Sequence, residues 1–309
     1  MTNLRPLPEL LQLKAMKENN EVPERIQDDL MALRSWIEKQ PHLRARTDDQ
    51  FLVAFLRGCK YSMEQVKKKI DLYYSSRSAF KEIISDRDPL TDENVDIIQS
   101  GRILPLLEPL GSEGPSIAIF RFGHWDLSKL KIIDGFRFYG MIIDILLLED
   151  DHLTISGGIG IFDFANVPMT HFLQFTPTFV KKVMVIYQDA MPVRLKGFHC
   201  INTTPGFEIM FNLFKGFLNE KNRNKVYVHS DLESLYKHIP QKHLPTEYGG
   251  EGGSIKDLTT CWENKFLEYR DYLMEESKYG TDEKKRPGLP KTEETLFGID
   301  GSFRKLNVD

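Results

Sequence analysis

The sequence is poor in cysteine and has no excess of basic charge. Its 309 residues include only three cysteines, Cys59, Cys200 and Cys261, which are widely separated. That number and spacing are not those of a disulfide framework and favour a reducing compartment. Lysine and arginine total 41 against 45 acidic residues, a net charge of −4. This balance excludes a globally basic nucleic-acid-binding protein, although a local basic patch remains compatible with it.

Targeting and membrane-spanning signals are also missing. The first residues, MTNLRPLPELLQLK, contain no uninterrupted apolar core, so we expect no secretory signal. The densest apolar stretch, residues 141–148, contains Asp144 and is too short to cross a bilayer. With 41% hydrophobic and 28% charged residues, the composition is that of a soluble globular protein. We expect a cytoplasmic monomer.

No catalytic motif is present. The sequence lacks GxSxG, GxxxxGK[ST], HExxH and CxxC. Gly158 and Gly160 form a GxG pair, but Asp163 occupies the place of the third glycine and the pair lies within a predicted strand. His199 and His229 fall on predicted neighbouring strands without a carboxylate or cysteine nearby, which is more typical of packed histidines than of a metal site. We therefore expect no enzyme, no metal and no cofactor.

The N-terminal and C-terminal parts have helical patterns. Ile26, Leu30, Leu33 and Ile37 recur on one helical face, and residues 1–85 are predicted to form a helical bundle. Residues 256–309 are predicted to form a helix, begun by Thr260 with Glu263, and a tail that docks back on the body. The tail carries three large apolar residues, Leu296, Phe297 and Phe303.

Residues 86–255 have the alternating pattern of an α/β domain. Short apolar runs occur at 116–122, 158–164, 195–202 and 225–229, and segments long enough for helices occupy 128–149, 168–190 and 205–221. Strands that alternate with helices indicate a parallel sheet covered on both faces.

The segment 205–221 is apolar on nearly all sides. Its first stripe contains five large apolar residues, Phe207, Met210, Phe211, Phe214 and Leu218, and a second stripe contains Ile209, Leu213 and Phe217. Such a helix is either a central core helix or a lid over an apolar cavity that touches a bilayer when it opens. Gly206 and Gly216 offer places to bend.

Basic charge is concentrated around that segment. Residues 181–225 contain eight basic and three acidic side chains, so this window is +5 and the rest of the chain is −9. Arg194 and Lys196 lie at the entry of one predicted strand, and Lys221, Arg223 and Lys225 lead into the next, at the same end of a parallel sheet. They form either a phosphate-binding patch or a solvated rim. Each basic group near an anionic membrane contributes about 1 kcal/mol, which suits reversible docking.

Several blocks of sequence resemble the CRAL-TRIO lipid-binding family. DDQFLVAFLRGCKYSMEQVKKKIDLYY resembles its helical N-terminal segment, and IFDF, FTPTFVKKV, PVRLKGFHCIN, LFKGFLNEK and LPTEYGGEGGS resemble successive blocks of its lipid-binding domain. The blocks occur in the family's order over about residues 25–255. The resemblance is strongest to the members that carry tocopherol or retinaldehyde.

The resemblance implies a fold and a task. The fold is a helical N-terminal bundle followed by an α/β domain whose mostly parallel sheet floors an apolar pocket closed by a helical gate. The task is to carry one hydrophobic molecule, of the tocopherol, retinoid or carotenoid class, between membranes without catalysis. The gate corresponds to residues 199–221, with Phe207, Met210, Phe211 and Phe214. The pocket wall corresponds to eleven residues: Phe136, Tyr139, Ile143, Ile159, Phe175, Val183, Ile186, Tyr187, Met191, Val193 and Phe198.

The resemblance also implies transient docking to membranes through a phosphoinositide headgroup that triggers release. The basic positions concerned are Arg194, Lys196, Lys221 and Lys225, to which we add the adjacent Arg223. Cys59 stands where the family pattern has an arginine, which leaves the selectivity among phosphoinositides open. Tyr139 or Tyr187 is expected to anchor the polar end of the ligand. Two alternatives remain: a phosphatidylinositol or phospholipid transfer or sensing module, and a lipid-dependent protein scaffold.

Overall fold

The computed structural model describes residues 3–297, and its N-terminal third is helical. Ile26, Leu30, Leu33 and Ile37 on the second helix are all buried, as their spacing predicts. They pack in one core with the third helix, whose residues Phe51–Gly58 are buried throughout. The elements of this part are α1 (Glu9–Asn19), α2 (Ile26–Glu38), β1 (Leu43–Arg44), α3 (Asp49–Gly58), α4 (Met63–Ala79), α5 (Lys81–Ile84) and α6 (Asp92–Gln99).

The middle of the chain forms a five-stranded, mostly parallel sheet in the order β2-β3-β4-β5-β6. Its strands are β2 (Ile103–Pro105), β3 (Ser116–Arg121), β4 (Gly158–Asp163), β5 (Leu195–Ile201) and β6 (Val226–Val228). β2 is antiparallel to β3, and the other pairs are parallel. The predicted α/β architecture is thus confirmed. The edge strand β2 lies outside the four predicted apolar runs.

Helices connect and cover these strands. They are α7 (Ile132–Glu149), α8 (Asp151–Ile155), α9 (Met169–Phe172), α10 (Pro177–Met184), α11 (Phe207–Phe217), α12 (Glu220–Arg223) and α13 (Leu232–Tyr236). The segment predicted as one helix over 168–190 is divided into α9, α10 and a π-helical turn at Val185–Ala190. The segment 205–221 likewise contains two helices, because Leu218 leaves the helical conformation and Asn219 caps α12.

The C-terminal region packs on both preceding parts. Its elements are α14 (Ile255–Glu268), α15 (Arg270–Glu275), β7 (Gly280–Thr281) and α16 (Glu293–Phe297). β7 pairs antiparallel with β1 of the N-terminal part. α14 begins at a capping box formed by Ser254 and Asp257, so the predicted start at Thr260 is wrong. Phe297 is buried against Phe80, with ring centroids 5.8 Å apart, whereas Phe303 lies outside the described residues.

Two further observations concern membrane-spanning helices and metal-binding groups. Within residues 3–297, no helix combines the length and the hydropathy that crossing a bilayer requires. In the same part of the chain, no three histidine, cysteine, aspartate or glutamate side chains are grouped so as to hold a metal ion.

Candidate functional site

A row of phenyl rings forms the floor of a cavity on one face of the sheet. Phe120, Phe162 and Phe198 come from β3, β4 and β5. The ring centroids of Phe120 and Phe162 are 4.6 Å apart, and those of Phe162 and Phe198 are 3.8 Å apart. A Cβ at Gly160 would lie 2.5 Å from the Phe162 ring, so this glycine makes room for the ring to lie flat on the strand. The sheet therefore presents an aromatic, apolar surface.

Helices close the other sides of this cavity. α7 contributes Phe136 and Tyr139, while Val183 and Tyr187 come from α10 and the π-helical turn. α11 forms the roof with three side chains, Met210, Phe211 and Phe214. Polar residues border the cavity at four positions, Arg102, Arg121, Gln188 and Asn222.

The cavity is partly open to its surroundings and has a volume of about 210 Å³. A close-packed protein core leaves few voids larger than a water molecule, so this space is not ordinary packing. It is nevertheless smaller than the 300–1,000 Å³ or so that is typical of pockets for drug-sized ligands. A larger guest therefore needs more room than this arrangement of side chains provides.

Seven of the eleven residues predicted for the pocket wall line this cavity. They come from α7, α10, the loops beside them and β5: Phe136, Tyr139, Phe175, Val183, Tyr187, Val193 and Phe198. The structure brings them together although up to 62 residues separate them in sequence.

The other four predicted wall residues, Ile143, Ile159, Ile186 and Met191, lie elsewhere. Ile159 is on β4, where alternate side chains face opposite sides, and it packs in the core on the other side of the sheet from Phe162. Ile143, Ile186 and Met191 are buried in the core that the N-terminal helices share. The prediction that these four residues line the cavity is therefore corrected.

The gate also differs in detail from the expectation. Residues 199–201 belong to β5, so the roof begins at Phe207 rather than at 199. Phe207 does not line the cavity: it packs on Phe164 at 4.8 Å and on Phe211 at 5.1 Å between ring centroids. It thus anchors the first turn of α11, while Met210, Phe211 and Phe214 face the enclosed space.

A glycine sets the direction of the roof. Gly206 has φ = 95°, a left-handed conformation that favours glycine. A Cβ there would approach the sulfur of Met169 to 2.2 Å. Gly216, in contrast, has no heavy atom within 4 Å of the position of an added Cβ. The chain therefore needs glycine at the entry of α11 and not near its end.

The outer side of α11 is partly apolar as well. Ile209 is 59% exposed, and Leu213 and Phe217 are half-buried. Leu173, just after α9, is 67% exposed, and α9 packs beside the start of α11. A roof that is apolar on its inner side and bears exposed apolar side chains outside is suited to contact with lipid.

The two tyrosines of the wall differ in their hydrogen bonds. The Tyr187 hydroxyl donates to the backbone carbonyl of Phe136. The Tyr139 hydroxyl has no partner among the described residues, and burial alone raises the pKa of this phenol. Tyr139 therefore supplies a neutral, unengaged hydroxyl to a wall that is otherwise mostly apolar.

Four basic side chains come together at the amino-terminal ends of β5 and β6. We name Arg194, Lys196, Lys221 and Lys225 the basic patch. Arg194 donates to the backbone carbonyls of Arg57, Gly58 and Ile155, at 3.2 and 2.8 Å for the first two. Lys225 donates to the carbonyl of Leu195, and Lys196 and Lys221 are exposed. Among the described residues, no carboxylate pairs with any of the four.

Arg223 has a different task. Its guanidinium donates to the carbonyls of Leu218 at 2.9 Å and Lys215 at 3.1 Å, which belong to the end of α11. A cation bound to the last carbonyls of a helix complements the helix dipole. Arg223 is therefore committed to the roof helix and is a poorer headgroup ligand than the sequence pattern predicts.

The electrostatics of the basic patch show mutual repulsion. The pKa of Lys225 is below its usual value because of burial first, and then because of the positive charges of Lys221, Lys196 and Arg194. Burial and the charges of Arg194, Lys14 and Lys60 likewise lower the pKa of Lys196. Cys59, which departs from the family pattern, is buried, and burial raises its pKa to about 11. A cluster of unpaired cations costs stability, and a bound anion would relieve that cost.

Sequence reasoning missed two of the three phenyl rings that form the floor of the cavity. Phe120 and Phe162 belong to the runs SIAIFRF and GIGIFDF, in which aromatic residues alternate with others at the strand ends. That alternation is a signal for one shared face. Arg102, Arg121, Gln188 and Asn222 have no comparable signal, because only the fold brings them to the cavity.

The fold and the site define an α/β domain with an apolar cavity beside its sheet, and comparisons with known proteins identify its family. A model of the CRAL/TRIO domain matches residues 101–250, and a model of the Pinta-like UBA domain matches residues 22–94. Human "Alpha-tocopherol transfer protein-like" is 31% identical over 274 residues, covering 87% of this chain and 78% of the relative. Mouse "Clavesin-1" is 29% identical over 243 residues, covering 77% of this chain and 67% of the relative.

The chain belongs to the CRAL/TRIO family, whose members bind and transfer lipids. The resemblance predicted from the sequence is thereby confirmed. Among solved structures, the crystal structure of Sfh5 matches with a TM-score of 0.45 and 15% identity, over 82% of this chain and 92% of that chain.

Proposed function

We propose that this protein carries one hydrophobic small molecule, of the tocopherol, retinoid or carotenoid class, between membranes without catalysis. The observation that carries the proposal is α11, which covers an apolar cavity with Met210, Phe211 and Phe214 and exposes Ile209 on its outer side. A guest in this cavity is released when α11 swings outward, and lipid then covers the apolar side chains that water would otherwise meet.

Tyr139 supports a ligand that has one polar end. A hydroxyl that borders an apolar cavity without a protein partner gains from a new hydrogen bond, which is worth about 0.5–1.5 kcal/mol net. A ligand oxygen beside Tyr139 supplies this hydrogen bond, whereas a pure hydrocarbon does not. We therefore propose lipophilic ligands that have one polar end, with a hydroxyl, carbonyl or ether oxygen that can reach Tyr139.

The basic patch supports docking to an anionic membrane through a phosphoinositide headgroup. Lys196 and Lys221 are exposed and unpaired among the described residues, so they are available to phosphate oxygens. Lys225 lies close enough to both lysines for their charges to lower its pKa, which supports the same role for it. Docking in this way places the protein in the cytoplasm, with transient attachment to a membrane.

Transfer between vesicles tests the proposal. Donor vesicles carry a fluorescent tocopherol or retinoid and a quencher, and acceptor vesicles contain a phosphoinositide. We expect transfer by the wild-type protein and a loss of transfer in Phe211→Asp, since a carboxylate beside the closed cavity or in lipid is costly. The control is Asn212→Asp, which adds the same charge on the exposed side of α11. Equal transfer by all three proteins would show that α11 is an ordinary core helix.

A phospholipid transfer or sensing module is the second candidate. Arg102 and Arg121 border the cavity and favour it, because arginine matches phosphate in charge and geometry. Both guanidiniums are engaged, however: Arg102 binds Asp96 at 2.8 Å and Arg121 binds His124 at 2.6 Å. Organic extraction of the purified protein followed by mass spectrometry separates the candidates, since a phospholipid and an isoprenoid differ in headgroup.

A further inference from the structure

The first helix is apolar on two opposite sides, and only one of them is covered. Leu11 and Ala15 are buried against Ile155 of α8, and Asn19 continues this side. On the other side, Leu10, Leu13 and Met16 are 48, 53 and 46% exposed. Three large apolar residues within two turns form a continuous stripe rather than scattered single contacts, and such a stripe marks an interaction surface.

Hydrogen bonds place this helix beside the basic patch. The Asn19 side-chain amide donates to the carbonyls of Arg57 at 2.9 Å and Ile155 at 3.3 Å. The Arg194 guanidinium donates to the same two carbonyls. Farther along α1, the Lys14 ammonium donates to the carbonyl of Glu113 at 2.8 Å. α1 and the patch are therefore held by hydrogen bonds to the same backbone carbonyls.

Lys14 brings α1 close to the patch, although it also pairs with Glu18 of the same helix at 3.9 Å. The Ser156 hydroxyl also donates to the Glu113 carbonyl, at 2.7 Å, so Lys14 lies close to the loop that precedes β4. In that loop, a Cβ at Gly157 would be 2.8 Å from the stem of Lys196. Lys14 thus lies near Lys196, in agreement with the effect of its charge on that side chain.

The outer side of α1 carries charges of both signs beside its apolar residues: Lys17 and Glu9 are exposed, whereas Lys14 pairs with Glu18 at 3.9 Å. Leu10 and Lys14 are one helical turn apart, and so are Leu13 and Lys17. The exposed Lys17 can extend its stem along this apolar surface while its ammonium group reaches the phosphates of a bilayer. An aqueous protein partner with an acidic, apolar face would be a weaker match, because the patch beside α1 already favours a layer of phosphates.

From this juxtaposition we infer that the stripe of Leu10, Leu13 and Met16 is a second membrane-contacting surface, which enters the interface of an anionic bilayer while the basic patch binds its headgroups. The inference rests on the proposed function in one respect, namely that the patch docks to a membrane. It adds that α1, and not the roof helix alone, holds the protein on the bilayer. The roof is then free to move while the protein stays attached.

Two measurements test the inference on the full chain. The first compares binding to vesicles that contain phosphoinositide for the wild type and a triple variant, Leu10→Ser with Leu13→Ser and Met16→Ser. We expect the triple variant to bind about tenfold more weakly. The control replaces three other exposed apolar residues with serine, Leu267, Met274 and Leu289, and should bind as the wild type does.

The second measurement reports the environment of α1 directly. An NBD fluorophore is attached to Leu13→Cys in a Cys261→Ser background, in which the remaining Cys59 and Cys200 are buried. We expect a blue shift and a rise in emission when the protein binds the vesicles. Emission that stays aqueous on vesicles that carry the protein would overturn the inference, whatever the triple variant does.

The outcomes separate this inference from the proposed function. If removal of the Lys196 and Lys221 charges weakens binding while the triple variant binds normally, the inference fails and membrane docking stands. If no variant changes vesicle binding, both fail. If the NBD emission shifts without vesicles and the protein sediments as a dimer that the triple variant abolishes, a second copy covers the stripe and the inference is wrong.

Discussion

Removal of two exposed charges from the basic patch should separate membrane docking from ligand storage. Lys196→Gln with Lys221→Gln is the most informative change, because neither ammonium makes a hydrogen bond or an ion pair among the described residues. Arg194 is less suitable, since its guanidinium satisfies three backbone carbonyls and its loss would also affect folding. Each lysine near an anionic surface contributes about 1 kcal/mol, so the double variant should lose about 2 kcal/mol, or about 30-fold in affinity.

The assay is sedimentation with vesicles that contain a phosphoinositide, repeated over a range of salt concentrations. The difference between wild type and variant should shrink as salt rises, because screening shortens the reach of exposed charges. The double variant should be no less stable to heat than the wild type, since like charges that repel one another have been removed. Lys237→Gln with Lys242→Gln changes the net charge equally, outside the patch. Equal losses in both double variants would refute a specific patch, and so would unchanged binding in the first.

Three further predictions concern the roof, the cavity and pH. Gly206→Ala should destabilise the protein by about 1–3 kcal/mol in urea unfolding, because φ is positive there and an added Cβ would meet the Met169 side chain. Gly216→Ala should stabilise the protein by about 0.5–1 kcal/mol. Similar effects of the two substitutions would contradict the geometry of α11. Tyr139→Phe should leave the melting temperature unchanged and weaken ligand binding by about five- to tenfold in a fluorescence titration, the equivalent of one hydrogen bond; unaltered affinity would place the polar end of the ligand elsewhere. Vesicle binding should weaken as pH rises toward 10, and at a lower pH than for a free lysine of pKa about 10.4, because the pKa of Lys225 is lowered. A bound phosphate favours the charged form of Lys225, so calorimetry in this pH range, in buffers of different ionisation enthalpy, should show proton uptake on binding. Binding without proton uptake would remove Lys225 from the site.

Periodicity in the sequence predicts most of the architecture. The four apolar runs correspond to β3, β4, β5 and β6, and the bundle helix with Ile26 and Leu33 has the predicted face. Local chemistry is less decisive where two signals compete. Ser254 with Asp257 and Thr260 with Glu263 both have the spacing of a capping box, and packing of the helix decides for the first.

The cavity wall is harder to predict because it depends on register and facing. Ile159 and Phe162 are three residues apart on one strand, and a strand turns them to opposite sides. Ile143 lies one turn beyond Tyr139 on α7, yet it faces the N-terminal helices instead of the cavity. Arg223 shares the spacing of the patch residues, but the end of α11 binds its guanidinium. In each case the residue type indicates an apolar wall or a basic site, but tertiary packing decides which way the side chain points.

Native mass spectrometry of the purified protein tests most directly whether the space beneath α11 holds a guest. After incubation with vesicles that contain a tocopherol or a retinoid, the wild type should appear as a complex with one lipid molecule, which is lost on denaturation. Val183→Trp fills the cavity from its wall and should give the bare protein mass, with the fold retained by circular dichroism. A wild type that never acquires a lipid, or a variant that acquires it equally well, would contradict the account.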